Sequence, residues 1–187
     1  MSVVELQEQH MRGEKPDVAL VPRCWIAGGC VRRWFVGGKQ ESDIDVFCET
    51  DAAGEEFVKA NGLNERIRND RMVMFFNSPI QLILQPRYTG GMEELIDHFD
   101  FTLCQFAYDG KRIISTTNAI TSVLRKHLGV HRIQPGYEID SLRRAFKYRN
   151  SGYKPCIGTI RDLANALNQA PAENLRKFDT ISPERWD

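Results

Sequence analysis

Asp43-Ile44-Asp45 comes after Gly28-Gly29 with thirteen intervening residues, and these positions carry the densest chemistry in the chain. Two glycines at the end of a short apolar run let an anion approach the backbone, and a helix beginning there turns its free amides toward that anion. Side chains at i and i+2 of a strand point to one face, so Asp43 and Asp45 converge while Ile44 and Val46 turn to the core. Converging carboxylates repel unless a cation lies between them. Magnesium suits that position, because it takes one or two carboxylates and fills its remaining sites with water and phosphate oxygens. Phosphate-accepting glycines beside a magnesium-holding acidic pair describe a nucleoside triphosphate site. Taken singly, Gly-Gly reads as a turn and Asp-x-Asp as a solvent-facing strand edge. Together, on a strand–turn–helix–loop–strand layout, they argue for the site.

The elements that must position these residues are set by periodicity. Arg23 to Ala27 reads as a strand stopping at Gly28-Gly29, Cys30 to Val36 as a helix, and Asp43 to Cys48, with its period of two, as a strand. Residues 2–12 read as an opening helix and Ala52 to Ala60 as another. Met72 to Phe76 and Ile80 to Gln85 form a hairpin around Asn77-Ser78-Pro79. Gly91 to His98 reads as a short helix, Phe101 to Tyr108 as a strand, and Asp109-Gly110 as the turn into Arg112 to Ser115. Helices are expected over about 117–128, 139–150 and 157–168. The fold class is α+β: a mixed sheet of about five strands flanked by helices, with a short helical C-terminal tail. The expected division is a domain over 1–136 and a helical extension over 137–187 packed on it.

Composition narrows the partners. The 187 residues are 42% hydrophobic and 27% charged, a globular balance, and no apolar run approaches the ~20 residues of a membrane span. Membrane partners are therefore not expected. Residues 1–110 hold 11 Lys/Arg against 18 Asp/Glu, and residues 111–187 hold 14 against 7, so a net charge of zero hides a basic C-terminal part. Arginines outnumber lysines 17 to 8, and arginine is the residue suited to forked phosphate contacts. Arg143, Arg144, Lys147 and Lys154 read either as a solvated face or as a triphosphate clamp, the charge balance favouring the clamp. The five cysteines contain no Cys-x-x-Cys and read as buried thiols in a reducing, cytoplasmic compartment. No histidine has metal-ligand spacing.

The glycine and aspartate motifs resemble the polymerase-beta-like nucleotidyltransferase superfamily, most closely the heads of tRNA CCA-adding enzymes and poly(A) polymerases. Their Gly-Gly-x-Val-Arg-Asp is matched by Gly28-Gly29-Cys30-Val31-Arg32, with Arg33 in place of the Asp. Their Ser-Asp-x-Asp is matched by Ser42-Asp43-Ile44-Asp45. Phe99-Asp100-Phe101-Thr102 partly echoes a third motif, with Phe99 replacing an arginine, and Asp140 to Tyr148 weakly echoes a neck helix. A third carboxylate of the superfamily would fall near Ile80-Gln81-Leu82, where a glutamine stands. The resemblance covers residues 23–150, and the residues beyond 150 are too few for the body and tail of a full CCA-adding enzyme.

The resemblance implies transfer of a nucleoside monophosphate from an NTP to a hydroxyl, releasing pyrophosphate. Asp43 and Asp45 would be the catalytic metal ligands and Mg²⁺ the cofactor. Gly28 and Gly29 would seat phosphates, with Arg32 and Ser42 in support. Asp100 reads either as a ribose or metal-water contact or as a plain junction acid, and Arg144 and Lys147 would reach the triphosphate. The acceptor is an RNA 3′ end by resemblance, with a protein or small molecule as other candidates. The rival class is a non-catalytic nucleotide- or partner-binding module on the same fold, which Gln81 and Arg33 favour and the intact aspartates disfavour.

Overall fold

The computed structural model describes residues 1–38 and 43–176. In chain order it contains β1 (Val3–Leu6), β2 (Cys24–Ala27), α1 (Gly29–Val36), β3 (Ile44–Cys48), α2 (Asp51–Ala60), β4 (Glu65–Arg68), β5 (Met72–Phe75) and β6 (Ile80–Ile83). Next come α3 (Gly91–Asp97), β7 (Phe106–Tyr108), β8 (Ile113–Thr116), α4 (Thr117–Leu124), β9 (His127–Leu128), α5 (Glu138–Asn150), β10 (Lys154–Pro155), α6 (Ile157–Gln169) and α7 (Ala172–Arg176).

Eight strands form one sheet in the order β1-β8-β7-β2-β3-β6-β5-β4, and β9 and β10 make a small parallel pair. Within the large sheet only β3 and β6 run parallel. Alternation along the strands divides the apolar side chains between two faces. Ile26, Val46 and Leu82 meet α1, α2 and α4 through Val31, Trp34, Phe57 and Val123. Trp25, Ala27 and Phe47 meet α3 through Met92, Leu95 and Ile96. Both clusters are closed to water, which is the main drive for the fold. Ala145 of α5 and Leu163 of α6 belong to the first cluster, so the C-terminal helices share the core of the sheet.

Local chemistry sets the helix ends. Thr50 and Thr116 cap α2 and α4 by accepting the amides of Ala53 and Ala119. Gly37 ends α1 in the left-handed region, at φ 87°.

The fold class holds as α+β, but the sheet has eight strands where about five were expected. Two of the extra strands lie at the edges. Residues 3–6 were expected in a helix and instead pair with β8, because the Val3-Val4 branched pair suits a pleated surface. Every residue of β4 is exposed, so it carries no apolar alternation to betray it. Phe101 to Tyr108 is not one strand: Thr102–Cys104 is a 3₁₀ turn between an isolated bridge at Phe101 and β7. The helix expected over 117–128 stops at Leu124, and His127–Leu128 becomes β9.

The cysteine reading changes too. Cys24 and Cys48 face each other directly across β2 and β3, with Cα atoms 4.3 Å apart, and form a disulfide. Cys30, Cys104 and Cys156 are free, and Cys156 is exposed. Among the described residues no helix is long and apolar enough to cross a membrane.

Candidate active site

Asp45 lies one residue inside β3, between buried Ile44 and Val46. The pleat puts it on the face of Phe47, away from that of Ile44 and Val46, and at this end of the strand it is half-buried. Asp43 precedes the strand and is exposed. Register sets Gln81 of β6 directly beside Asp45, and Met74 of β5 beside Gln81. The position where a third carboxylate would stand is therefore adjacent to Asp45 and neutral.

Burial and the nearby Asp43 carboxylate raise Asp45 to about 6, against the pull of Lys147, Arg33 and Arg144, which favour its charged form. Burial is the larger of the two raising influences, so the charged form of Asp45 is costly without a counter-ion. Among the described residues no group of three or more His, Cys, Asp or Glu gathers at one point. An all-oxygen pair fits magnesium, which needs no larger protein cage.

A raised acid pKa destabilises the folded state, and the sign fixes the pH window. Below about 4 both states hold the proton and nothing is lost. Between 4 and 6 the unfolded chain releases it first, and above 6 the full cost is present. In metal-free buffer Asp45→Asn should therefore leave stability unchanged at pH 3.5 and raise it by about 3 kcal/mol at pH 7.5. Denaturant titrations at both pH values check this, and equal effects at the two would contradict it.

The glycine turn faces this pair from β2 and α1. Gly28 precedes α1 at φ +81°, where a Cβ would lie in ordinary contact with the Phe99 ring, at 3.5 Å, so it is the backbone conformation that asks for glycine. Only glycine suits that backbone. Gly29 opens α1, and a Cβ there would meet Arg33 Nη1 at 3.5 Å and Arg32 Nη2 at 3.9 Å. Arg32 is buried, its guanidinium 5.2 Å from the Tyr148 ring centroid and 5.5 Å from that of Tyr153. Burial pushes the Cys30 thiol, one residue inside α1, up to about 12, so it is no nucleophile.

Asp100, buried at the far side of Arg144, accepts hydrogen bonds at Oδ2 from Ser141 Oγ at 2.9 Å and Arg144 Nε at 2.7 Å. This ties α5 to the end of α3 and fixes Arg144. Lys147, one turn further along α5, is exposed and acts on Asp45. The structure thus gathers Asp43, Asp45, Gly28, Gly29, Arg144 and Lys147 around one point, with Arg32 beneath the turn and Asp100 behind Arg144. Ser42 lies outside the described residues. Two cavities, of about 420 and 570 Å³, open elsewhere and include neither Asp43 nor Asp45 in their walls.

Two features of the site were not in the expected set. Arg33 entered the sequence reading only as a departure, yet its spacing of four from Gly29 puts both on one helical face. Tyr148 and Tyr153 were not singled out, and no local pattern marks them as partners of an arginine over a hundred residues away.

Residues 5–126 match the profile described as Gad2, Gabija anti-defense 2 family protein. The chain belongs to the Gabija anti-defense 2 family. No curated protein matches it. Among solved structures it is similar to a Thermotoga maritima CCA-adding enzyme complexed with tRNA, at TM-score 0.59 and 19% identity, over 82% of this chain and 41% of that one. A CCA-adding enzyme complexed with CTP gives TM-score 0.59 and 18% identity, over 87% and 45%. A tRNA nucleotidyltransferase complexed with a primer tRNA and an incoming ATP analogue gives 0.56 and 20%, over 82% and 50%. At these identities the likeness is one of fold: this member of the family has a nucleotidyltransferase-like fold and spans about half the length of the structures it resembles.

Proposed function

We propose that the chain is a magnesium-dependent nucleotidyltransferase that moves a nucleoside monophosphate from an NTP to a hydroxyl acceptor and releases pyrophosphate. The observation that carries this reading is the acidic pair at the start of β3, opposed by the Gly28-Gly29 turn and by the cations of α1 and α5. Asp43 and Asp45 would hold the metal, which when bound spreads the charge of the attacking and leaving oxygens. Gly28, Gly29 and the start of α1 would take phosphate oxygens, with Arg32 and Ser42 in support, and Arg144 and Lys147 would neutralise the departing pyrophosphate. Asp100 would act through Arg144, holding its guanidinium toward the site. The acceptor oxygen bonds to the α-phosphorus as the α–β anhydride bond breaks.

An RNA 3′ end is the first acceptor to test, since neighbours of this fold are complexed with tRNA. A protein acceptor is the next, because the family is named for countering a Gabija defence. Gln81 beside Asp45 supports a second reading, a module that binds a nucleotide or a partner without catalysis. Incubation with α-labelled NTPs, magnesium and either total RNA or cell lysate separates the readings. Label on RNA or on protein identifies the acceptor class. Absence of label on either, with NTP and magnesium together still raising Tm above either alone, selects the non-catalytic module.

A further inference from the structure

We infer that the exposed cations at the adjoining ends of α4 and α5 form a track for a nucleic-acid backbone, along which an acceptor strand reaches the candidate site. The inference rests on the nucleotidyltransferase reading for the site and goes beyond it in naming the acceptor class and the surface that holds it.

Five side chains make the track. Arg125 and Lys126 follow α4, Lys147 and Arg149 lie in the last turn of α5, and Lys154 opens β10; all five are exposed. The backbone joins these ends. Lys154 donates its amide to Lys126 O at 2.7 Å and stands in register with His127, while Gly152 donates its amide to Arg149 O at 2.9 Å. Three elements therefore deliver cations to one stretch of surface. A cation at a helix C-terminus steadies the helix dipole, which accounts for one or two of them singly. It accounts neither for Lys154 nor for the joining of two helix ends of like charge.

Among the described residues no carboxylate forms an ion pair with any of the five. Residues 111–156 contain no acids but Glu138 and Asp140, and both stand in the first turn of α5. The rise of a helix puts them about 10 Å or more from Lys147 and Arg149, beyond the Debye length at physiological salt. Like charges gathered on one surface repel, and a chain of phosphates relieves that repulsion. Lys147 sets one end of the track at the site, because it also acts on Asp45. Phe146 beside it is 54% exposed and shares a helical face with Arg149. An exposed ring among cations suits a strand whose phosphates are held and whose bases stack, whereas an acidic protein has no base to offer it.

Fluorescence anisotropy of the full chain with a labelled 16-nucleotide single strand, as RNA and as DNA, over a series of potassium chloride concentrations tests this. At least one strand should bind, more weakly as salt rises, and any preference between them names the sugar of the acceptor. The triple variant Arg125→Gln, Arg149→Gln, Lys154→Gln should bind about 10-fold or more weakly on every sequence and flatten the salt slope by about 2. ATP with magnesium should raise its Tm as much as that of the parent chain. Should the triple variant lose its circular dichroism signal, the three single variants take its place, each flattening the slope by about 0.7. Unchanged strand affinity in the folded variants overturns the inference, and so does polyglutamate binding the parent chain more tightly than either strand. Binding of neither strand, with ATP and magnesium still raising Tm, overturns the track and leaves the nucleotidyltransferase reading standing. Strand binding that depends on these residues, without any effect of ATP and magnesium on Tm, overturns that reading and leaves the track.

Discussion

If the proposed transfer is correct, Asp43→Ala and Asp45→Ala should each lower it by about 10³-fold or more, because each would remove one of the two carboxylates proposed to hold the metal. The fold should survive both changes. Asp43 is exposed, and Asp45 sits in an environment that disfavours its own charge. Loss of transfer with retained thermal stability is the expected pair of results, read from labelled product and from calorimetry of the same preparations. Near-normal turnover in either variant would remove the carboxylates from the chemistry. A large drop in stability would instead make them structural.

The second large effect concerns the joint between sheet and tail. Asp100 is 7% exposed and takes both Ser141 and Arg144 on one carboxylate oxygen. Asp100→Ala should cost about 1–3 kcal/mol, since it leaves the buried Ser141 hydroxyl without its acceptor while the half-exposed Arg144 guanidinium turns to water. Chemical denaturation measures the loss, and NTP affinity should fall with it because Arg144 is no longer held toward Asp45. A cost under about 1 kcal/mol would mean that water substitutes for the carboxylate and that α5 is docked mainly through Ala145.

Local pattern made the chemistry legible and the architecture only partly so. Asp43-Ile44-Asp45 announces its strand by alternation, and Gly28-Gly29 announces the turn because Gly28 takes a backbone conformation that suits glycine. The alignment of Gln81 with Asp45 was approachable from motif position alone, since β3 and β6 are short and their apolar residues fix the register. What escaped was set by pairing at a distance. Val3–Leu6 joins β8 across more than a hundred residues, and β4 has only β5 to define it. The Cys24–Cys48 partnership likewise needs β2 and β3 to be side by side before it can be seen. Asp100 could be recognised as interesting, but its two partners on α5 are tertiary neighbours with no spacing to reveal them.

Arg32 bears on how the molecule could be divided. A guanidinium from α1 packs against Tyr148 in α5 and Tyr153 just beyond it, and Lys126 also approaches the Tyr153 ring, at 4.8 Å. Arg32 therefore links α1, which follows the glycine turn, to α5, which bears Arg144 and Lys147. The family profile covers α1 and stops before α5. A fragment ending with that profile would keep both aspartates yet expose Arg32 and lose the rings that screen it.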